Sequence, residues 1–190
     1  DIIDRNGDYI ARNIPIFHAA IKPNLIKDKK KFLIKLKLID QTLDYKNVKK
    51  NLKRNNYFYL KKNLTLDEKD KLWSLGEKGL IFELAQTRIY PHKNLFSHVL
   101  GQIDSDNNGI SGVEKYFDKD LKQNNRQSIQ LSLDTNLQYL IRDELFKSIS
   151  VFKAKGAASL LMDVNTGEIL SLISLPDYNL NTRKDIKDKS

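Results

Sequence analysis

Cysteine is absent from the 190 residues. That excludes a disulfide framework and thiolate chemistry, and leaves the compartment open. No run of about 18 apolar residues occurs, so nothing in the chain reads as a membrane-spanning helix. No secretory signal is visible either. Methionine occurs once, at Met162, and not at the first position; the chain therefore reads as a processed or engineered piece of a longer protein. The three histidines, His18, His92 and His98, are scattered, with no pair at metal-ligand spacing on one helix face, which argues against a zinc site. There is no P-loop, no G-x-G-x-x-G and no G-x-S-x-G, and no internal repeat. No cofactor and no metal are expected.

What is present is a 40% hydrophobic content, enough for one domain or one and a fraction. Charge is lopsided, with 33 Lys and Arg against 24 Asp and Glu and a net charge of +9. Such a surplus suits nucleic acid, anionic lipid or an acidic polymer. A lysine-rich solvated surface accounts for it more simply.

Along the chain, Asn6-Gly7 is a turn signal between two strand-like runs. Pro23-Asn24 ends that unit. Phe32, Leu33, Leu36 and Ile39 share one face of a short helix, and Asp44 is placed to cap a second from Tyr45 to about Asn55, with Val48 and Leu52 inward. Tyr57 to Leu60 reads as a strand. Thr65-Leu66-Asp67-Glu68 is a capping box, with Gly76 as the helix stop. Trp73 reads as core. Leu80 to Ile89 reads as a strand, and Gln127 to Leu133 alternates as a half-buried one. Asp134 is placed to cap a long helix to about Lys153, striped by Leu137, Leu140, Ile141, Leu145, Ile149 and Phe152. Ala157 to Val164 reads as a buried strand, Asn165-Thr166-Gly167 as a turn, and Ile169 to Leu175 as the returning strand. The tail from Asn181 to Ser190 is polar and charged.

The densest punctuation lies between Arg88 and Asp118. Tyr90-Pro91 breaks regular structure. Leu95, Phe96, Val99 and Leu100 recur at helical spacing, Gly101 suits the stop, and Gly112 precedes Glu114. Y-P-x-x-x-L-x-x-H-V-L-G followed by D-N-x-G-x-S-G-x-E-x-x-F-D resembles the non-catalytic pedestal of class B penicillin-binding proteins, the bacterial cell-wall transpeptidases. The wording is closest to the septal branch. Asp1 to Gly7 resembles the end of that family's R-G-x-I-x-D-R-x-G opening. Gly156 to Asn181 resembles the first hairpin of its transpeptidase domain.

The resemblance implies an α+β fold: an elongated, mostly-β pedestal with a small inserted α+β head, then the first helix and β-hairpin of a transpeptidase domain. It places the pedestal, or dimerisation domain, at 1–127, the head at about 23–101, and the start of the transpeptidase domain at 128–190. It implies a periplasmic, non-catalytic scaffold, with a membrane helix before Asp1 and a catalytic serine beyond Ser190 in the parent. The parent would cross-link peptidoglycan stem peptides by acyl transfer and be acylated by β-lactams. Its implied partners are a septal peptidoglycan glycosyltransferase and small bitopic division proteins; a homodimer is allowed, and nucleic acid is not expected. The residues singled out are structural: Asp4, Arg5 and Gly7 in the opening turn, Arg88, Tyr90 and Pro91 at the return from the head, and Gly101, Gly112 and Glu114 in the joining loop. Glu114 is expected to pair with Arg5, Arg88 or the adjoining domain.

Three strings invite other readings. Ser150-Val151-Phe152-Lys153 is a literal S-x-x-K and Ser105-Asp106-Asn107 a literal S-x-N, but their order is reversed relative to the family and no K-T-G occurs. Asp104-x-Asp106-x-Asn108-Gly109 resembles the front of a calcium loop, yet position twelve is Lys115, where a bidentate Glu is needed. A basic binding module for nucleic acid or an anionic wall polymer is the alternative, suggested by Lys49 to Arg54 close to Tyr57, Phe58 and Tyr59.

Overall fold

Two long strands, β2 (Tyr9–Ile21) and β4 (Leu80–Ile89), pair with one another. The computed structural model describes residues 1–104, 106–123 and 127–182. They divide into two units. The terminal unit comprises Asp1–Asn13 with the chain from Arg88 on, and the inserted unit is Ile14–Thr87. Its edges fall inside β2 and β4, not at the Pro23 and Gly101 that suggested 23–101. Proline and glycine mark where an element ends, and a strand that continues from one unit to the next leaves no such mark. Leu95 to Leu100, assigned to the head by sequence, packs in the core of the terminal unit. Both units mix helices with strands.

In the inserted unit, α1 (Lys29–Ile39) and α2 (Tyr45–Arg54) start at aspartates whose carboxylates accept from first-turn amides, Asp28 from Lys31 and Asp44 from Lys46 and Asn47. β3 (Phe58–Leu64) runs antiparallel to β2, from Ile21 opposite Phe58 to Phe17 opposite Leu64. α3 (Leu66–Trp73) opens with the full capping box, Thr65 accepting from the Glu68 amide and Glu68 from the Thr65 amide. Phe32, Leu36, Val48, Leu52, Leu60, Leu64, Leu72 and Leu80 form the core with Ala19 and Ile21. Trp73 does not join it. It is 68% exposed, with its ring beside that of Phe82, ring centroids 5.7 Å apart. Leu72 takes the inward position, and one residue further on a helix turns the side chain about 100° away. A depression of about 190 Å³ is lined in part by Asp40, Lys61 and Glu68. Lys61 bridges the two carboxylates at 2.8 and 2.9 Å. Burial raises the Asp40 carboxyl, but hydrogen bonds from Lys61 and Thr42 outweigh it and hold it at about 2.

In the terminal unit, β1 (Ile2–Ile3) pairs antiparallel with the start of β2 and parallel with β5 (Ile129–Gln130). Short helices follow at α4 (Ser97–Leu100), α5 (Gly112–Tyr116) and α6 (Asp118–Lys122). α7 (Thr135–Phe152) precedes the hairpin of β6 (Ala157–Met162) and β7 (Ile169–Leu175). Ile2, Ile10, Ala11, Tyr90, Leu95, Phe96, Leu100, Leu133 and Leu180 form the core. Three sequence expectations need correction. The strand at 127–133 is reduced to two ladder residues. The stripe of α7 is only partly covered, with Leu140 and Phe152 exposed. β6 is not buried, and Leu160, Leu161 and Met162 all stand open. Among the described residues β6 pairs with β7 alone, in a two-stranded sheet, so an apolar sequence suited to a sheet interior sits on a sheet edge. Part of the S-x-N string, Ser105, and the tail from Arg183 lie outside the described residues.

Candidate functional site

The opening turn is built on Asp4, which is fully buried. Its Oδ1 accepts from the amides of Asn6 (2.8 Å) and Asp8 (2.9 Å). Its Oδ2 accepts from the amide (3.1 Å) and hydroxyl (2.7 Å) of Thr135, the first residue of α7. Burial alone would raise this carboxyl; the Thr135 hydroxyl and the three amides more than compensate and leave it below its ordinary value. Gly7 completes the turn at φ +91°. Asp134 caps α7 by accepting from Asn136 and Leu137, and also accepts from the Asn6 side chain. Arg5 lies 3.7 Å from Glu168 in a half-exposed pair.

Arg88 and Glu114 form the second cluster. Nε of Arg88 donates to Oε1 of Glu114 at 2.9 Å and Nη2 to Oε2 at 3.3 Å, while Nη1 reaches Oδ1 of Asn13 at 3.3 Å. Of the partners considered for Glu114, the structure selects Arg88. Planar guanidinium and planar carboxylate meet at two points, the geometry that best repays burying both charges.

Glu114 is held there by a close backbone crossing. Gly101 (φ +76°) and Gly112 (φ +61°) lie against one another's strands of chain. A Cβ on Gly101 would fall 2.3 Å from the Ser111 carbonyl oxygen, and one on Gly112 2.7 Å from that of Leu100. Gly109 is equally tight, 2.1 Å from the Glu114 oxygen. Inside this loop Asp104 accepts from the amides of Asp106 and Asn108 and from the Asn108 side chain. The Gly109 amide donates to Asp118, and the Lys122 ammonium sits 2.7 Å from Asp118 and 2.6 Å from the Asn108 oxygen. Of the oxygens that made the string resemble a calcium loop, those of Asp104 are thus taken by amides of the loop itself and that of Asn108 by the Lys122 ammonium.

Tyr90 and Pro91 mark the return, as a pinned segment. The Tyr90 amide donates to Oδ1 of Asn181 and its carbonyl accepts from Nδ2 of the same residue, at 3.0 and 2.9 Å. Around it, Asp177 accepts from Arg142 and Asn94, and the Tyr178 hydroxyl donates to the Ser97 carbonyl. The sequence reading missed Gln138. This fully buried amide on α7 donates to the Leu95 and Leu172 carbonyls and accepts from the Ser171 hydroxyl and the Leu172 amide. Its signal was a polar residue three positions after Thr135, on the same helix face.

Nothing in these clusters is arranged for nucleophilic chemistry. Ser150 donates to the Phe146 carbonyl one turn back, and Lys153 ends the helix in left-handed geometry, φ +51°. His18 accepts from the Asn63 amide, His92 meets Tyr139, and His98 donates to the Pro176 carbonyl. Among the described residues no group of three or more His, Asp or Glu could hold a metal ion, and no helix is long and apolar enough to cross a membrane.

Residues 1–138 match the profile of the penicillin-binding protein dimerisation domain. The chain is 32% identical over 184 residues to the probable peptidoglycan D,D-transpeptidase FtsI of Caulobacter vibrioides, covering 95% of this chain and 31% of that protein. It is 26% identical over 211 residues to the peptidoglycan D,D-transpeptidase FtsI of Escherichia coli, covering 95% and 36%. The chain thus spans about a third of the length of these curated relatives. A complex between penicillin-binding protein PBP2 and MreC from Helicobacter pylori contains a chain of the same fold, with a TM-score of 0.67, 24% identity, and coverage of 95% of this chain and 42% of that one. The profile match over residues 1–138, most of the chain, shows that it belongs to the penicillin-binding protein dimerisation-domain family, the pedestal of class B penicillin-binding proteins.

Proposed function

We propose that this chain is the non-catalytic periplasmic scaffold of a peptidoglycan transpeptidase acting in septal cell-wall synthesis. The observation that carries the proposal is how the polar clusters are used. Asp4, Arg88, Glu114, Asp118 and Gln138 are each occupied with backbone groups or one another, so they shape a support. Similarity to transpeptidases named FtsI supports the septal assignment. On this reading residues 1–127 are the pedestal and 128–190 begin the transpeptidase domain. The parent is anchored in the inner membrane and carries a serine that is acylated by stem peptides and by β-lactams. The partners are a septal glycosyltransferase and small division proteins. That the fold neighbour forms a complex with MreC supports protein partners for this chain.

Two measurements on the purified chain test this. Incubation with a fluorescent penicillin is expected to leave no covalent label; labelling that Ser150→Ala removes would make the chain an enzyme in its own right. Co-purification with a septal glycosyltransferase in detergent is the positive expectation. Failure of that glycosyltransferase to retain the chain would argue against the scaffold role.

A further inference from the structure

The net charge is not spread over the molecule. Residues 14–87 hold 17 Lys and Arg against 8 Asp and Glu, a net charge of +9, whereas the rest of the chain holds 16 of each. A general lysine bias would load both units. Instead, every cation of the terminal unit has a counter-charge in number, and the whole surplus is in the inserted unit. Within it, eleven cations lie between Lys27 and Arg54 with three acids, Asp28, Asp40 and Asp44. All three acids are engaged: Asp28 and Asp44 cap helices, and Asp40 holds Lys61. Lys30, Lys31, Lys37, Lys49 and Lys50 are exposed, and none of them takes part in an ion pair among the described residues.

A second feature sits among the lysines of α1. Ile34 and Leu38, one turn apart on α1, are 64% and 78% exposed. Lys30 is one further turn back, so Lys30, Ile34 and Leu38 share a face. The inward face of α1 is already occupied by Phe32 and Leu36, so the outward pair contributes nothing to the core. Two large aliphatics flanked by lysines on the outer face of a helix fit an interface that is anionic at the surface and apolar just beneath it.

We propose that the α1–α2 face of the inserted unit docks on the surface of an anionic lipid bilayer, with Ile34 and Leu38 entering the headgroup boundary and the lysines meeting lipid phosphates. Nucleic acid fits less well. Single-stranded nucleic acid is gripped by aromatic rings interleaved with cations, and the exposed Tyr57 and Tyr59 of this unit both donate to the Glu83 carboxylate, a negative charge where a phosphate backbone would run. The proposal stands on charge and exposure alone and does not depend on the transpeptidase reading.

Vesicle sedimentation of the 190-residue chain tests it. Vesicles of phosphatidylglycerol and phosphatidylcholine in equal parts are expected to carry the chain down, vesicles of phosphatidylcholine alone are not, and binding falls as salt is raised. Lys30→Gln, Lys31→Gln and Lys37→Gln together are expected to weaken binding by roughly a hundredfold, at roughly fivefold per lysine. Ile34→Ser with Leu38→Ser, which leaves the charge unchanged, is expected to weaken it about tenfold or more. Both variants alter exposed side chains, and circular dichroism verifies that each keeps the fold. Equal binding to neutral vesicles, or an Ile34/Leu38 variant that binds as well as the parent sequence, would overturn the proposal. So would tight binding to a single-stranded oligonucleotide by a chain that ignores both kinds of vesicle.

Discussion

Arg88 and Glu114 meet through two parallel hydrogen bonds with only 5% and 3% of their side chains exposed. Breaking such a pair from one side costs more than removing both charges, because the survivor is left buried without a partner. Glu114→Ala is therefore expected to destabilise the chain by about 3–5 kcal/mol. The double change Arg88→Met with Glu114→Leu is expected to cost clearly less. Urea denaturation of the two variants checks this; equal losses would mean that the charges are better solvated than their burial indicates.

Asp4 gives the chain a pH dependence of known sign. Its folded-state carboxyl lies below the ordinary value of 3.8. The stability it contributes is therefore fully present above that value and is lost as pH falls through the lower folded value. Asp118 and Asp134 are also lowered, first by the Gly109 and Leu137 amides respectively, and act in the same direction. Asp4→Asn is expected to lower stability at neutral pH by about 2–3 kcal/mol and to flatten, without abolishing, the decline between about pH 5 and pH 2. Denaturant midpoints measured across that range for both proteins decide it; parallel curves would show that Asp4 does not titrate differently on folding.

The glycines separate into two kinds that sequence cannot tell apart. Gly7 has φ +91° with open space where a Cβ would be, whereas Gly101 has φ +76° and the Ser111 carbonyl oxygen 2.3 Å from that position. Gly7→Ala thus meets only the backbone cost of left-handed geometry, about 1–2 kcal/mol. Gly101→Ala must also push two chain segments apart, and a further loss of about 1–3 kcal/mol is expected. Thermal melts of the two variants compare them directly, and a Gly101→Ala protein no less stable than Gly7→Ala would mean that the crossing at Ser111 can open freely.

Local chemistry was legible in the sequence. The caps at Asp44, Thr65 and Asp134, the turn at Gly7 and the strand from Leu80 to Ile89 follow from residues within four positions of one another, and they stand where the pattern placed them. Long-range geometry was not. That Asp4 reaches Thr135, 131 positions away, or that Gln138 joins Leu95 to Leu172, depends on packing that no local period encodes. The inserted unit was placed too late because β2 and β4 run through its edges. The burial of β6 was overestimated for a related reason: an apolar strand reads as buried whether or not a neighbouring strand is there to cover it.

Trp73 and Leu72 test the same distinction between composition and position. Tryptophan is the larger and, by type, the more costly to remove from a core. Here it is two-thirds exposed and touches Phe82 from outside, while Leu72 is buried among Phe32, Leu36 and Leu64 in the inserted core. Burial predicts the reverse of residue size. Leu72→Ala is expected to cost about 2–4 kcal/mol through lost contacts and the cavity left behind, and Trp73→Ala about 1 kcal/mol or less. Because Trp73 is the only tryptophan, its fluorescence reports solvent exposure independently: emission near that of free indole and ready quenching by acrylamide are expected in the native chain. A blue-shifted, protected native spectrum would place Trp73 against a covering surface and return it to the core position that its size suggested.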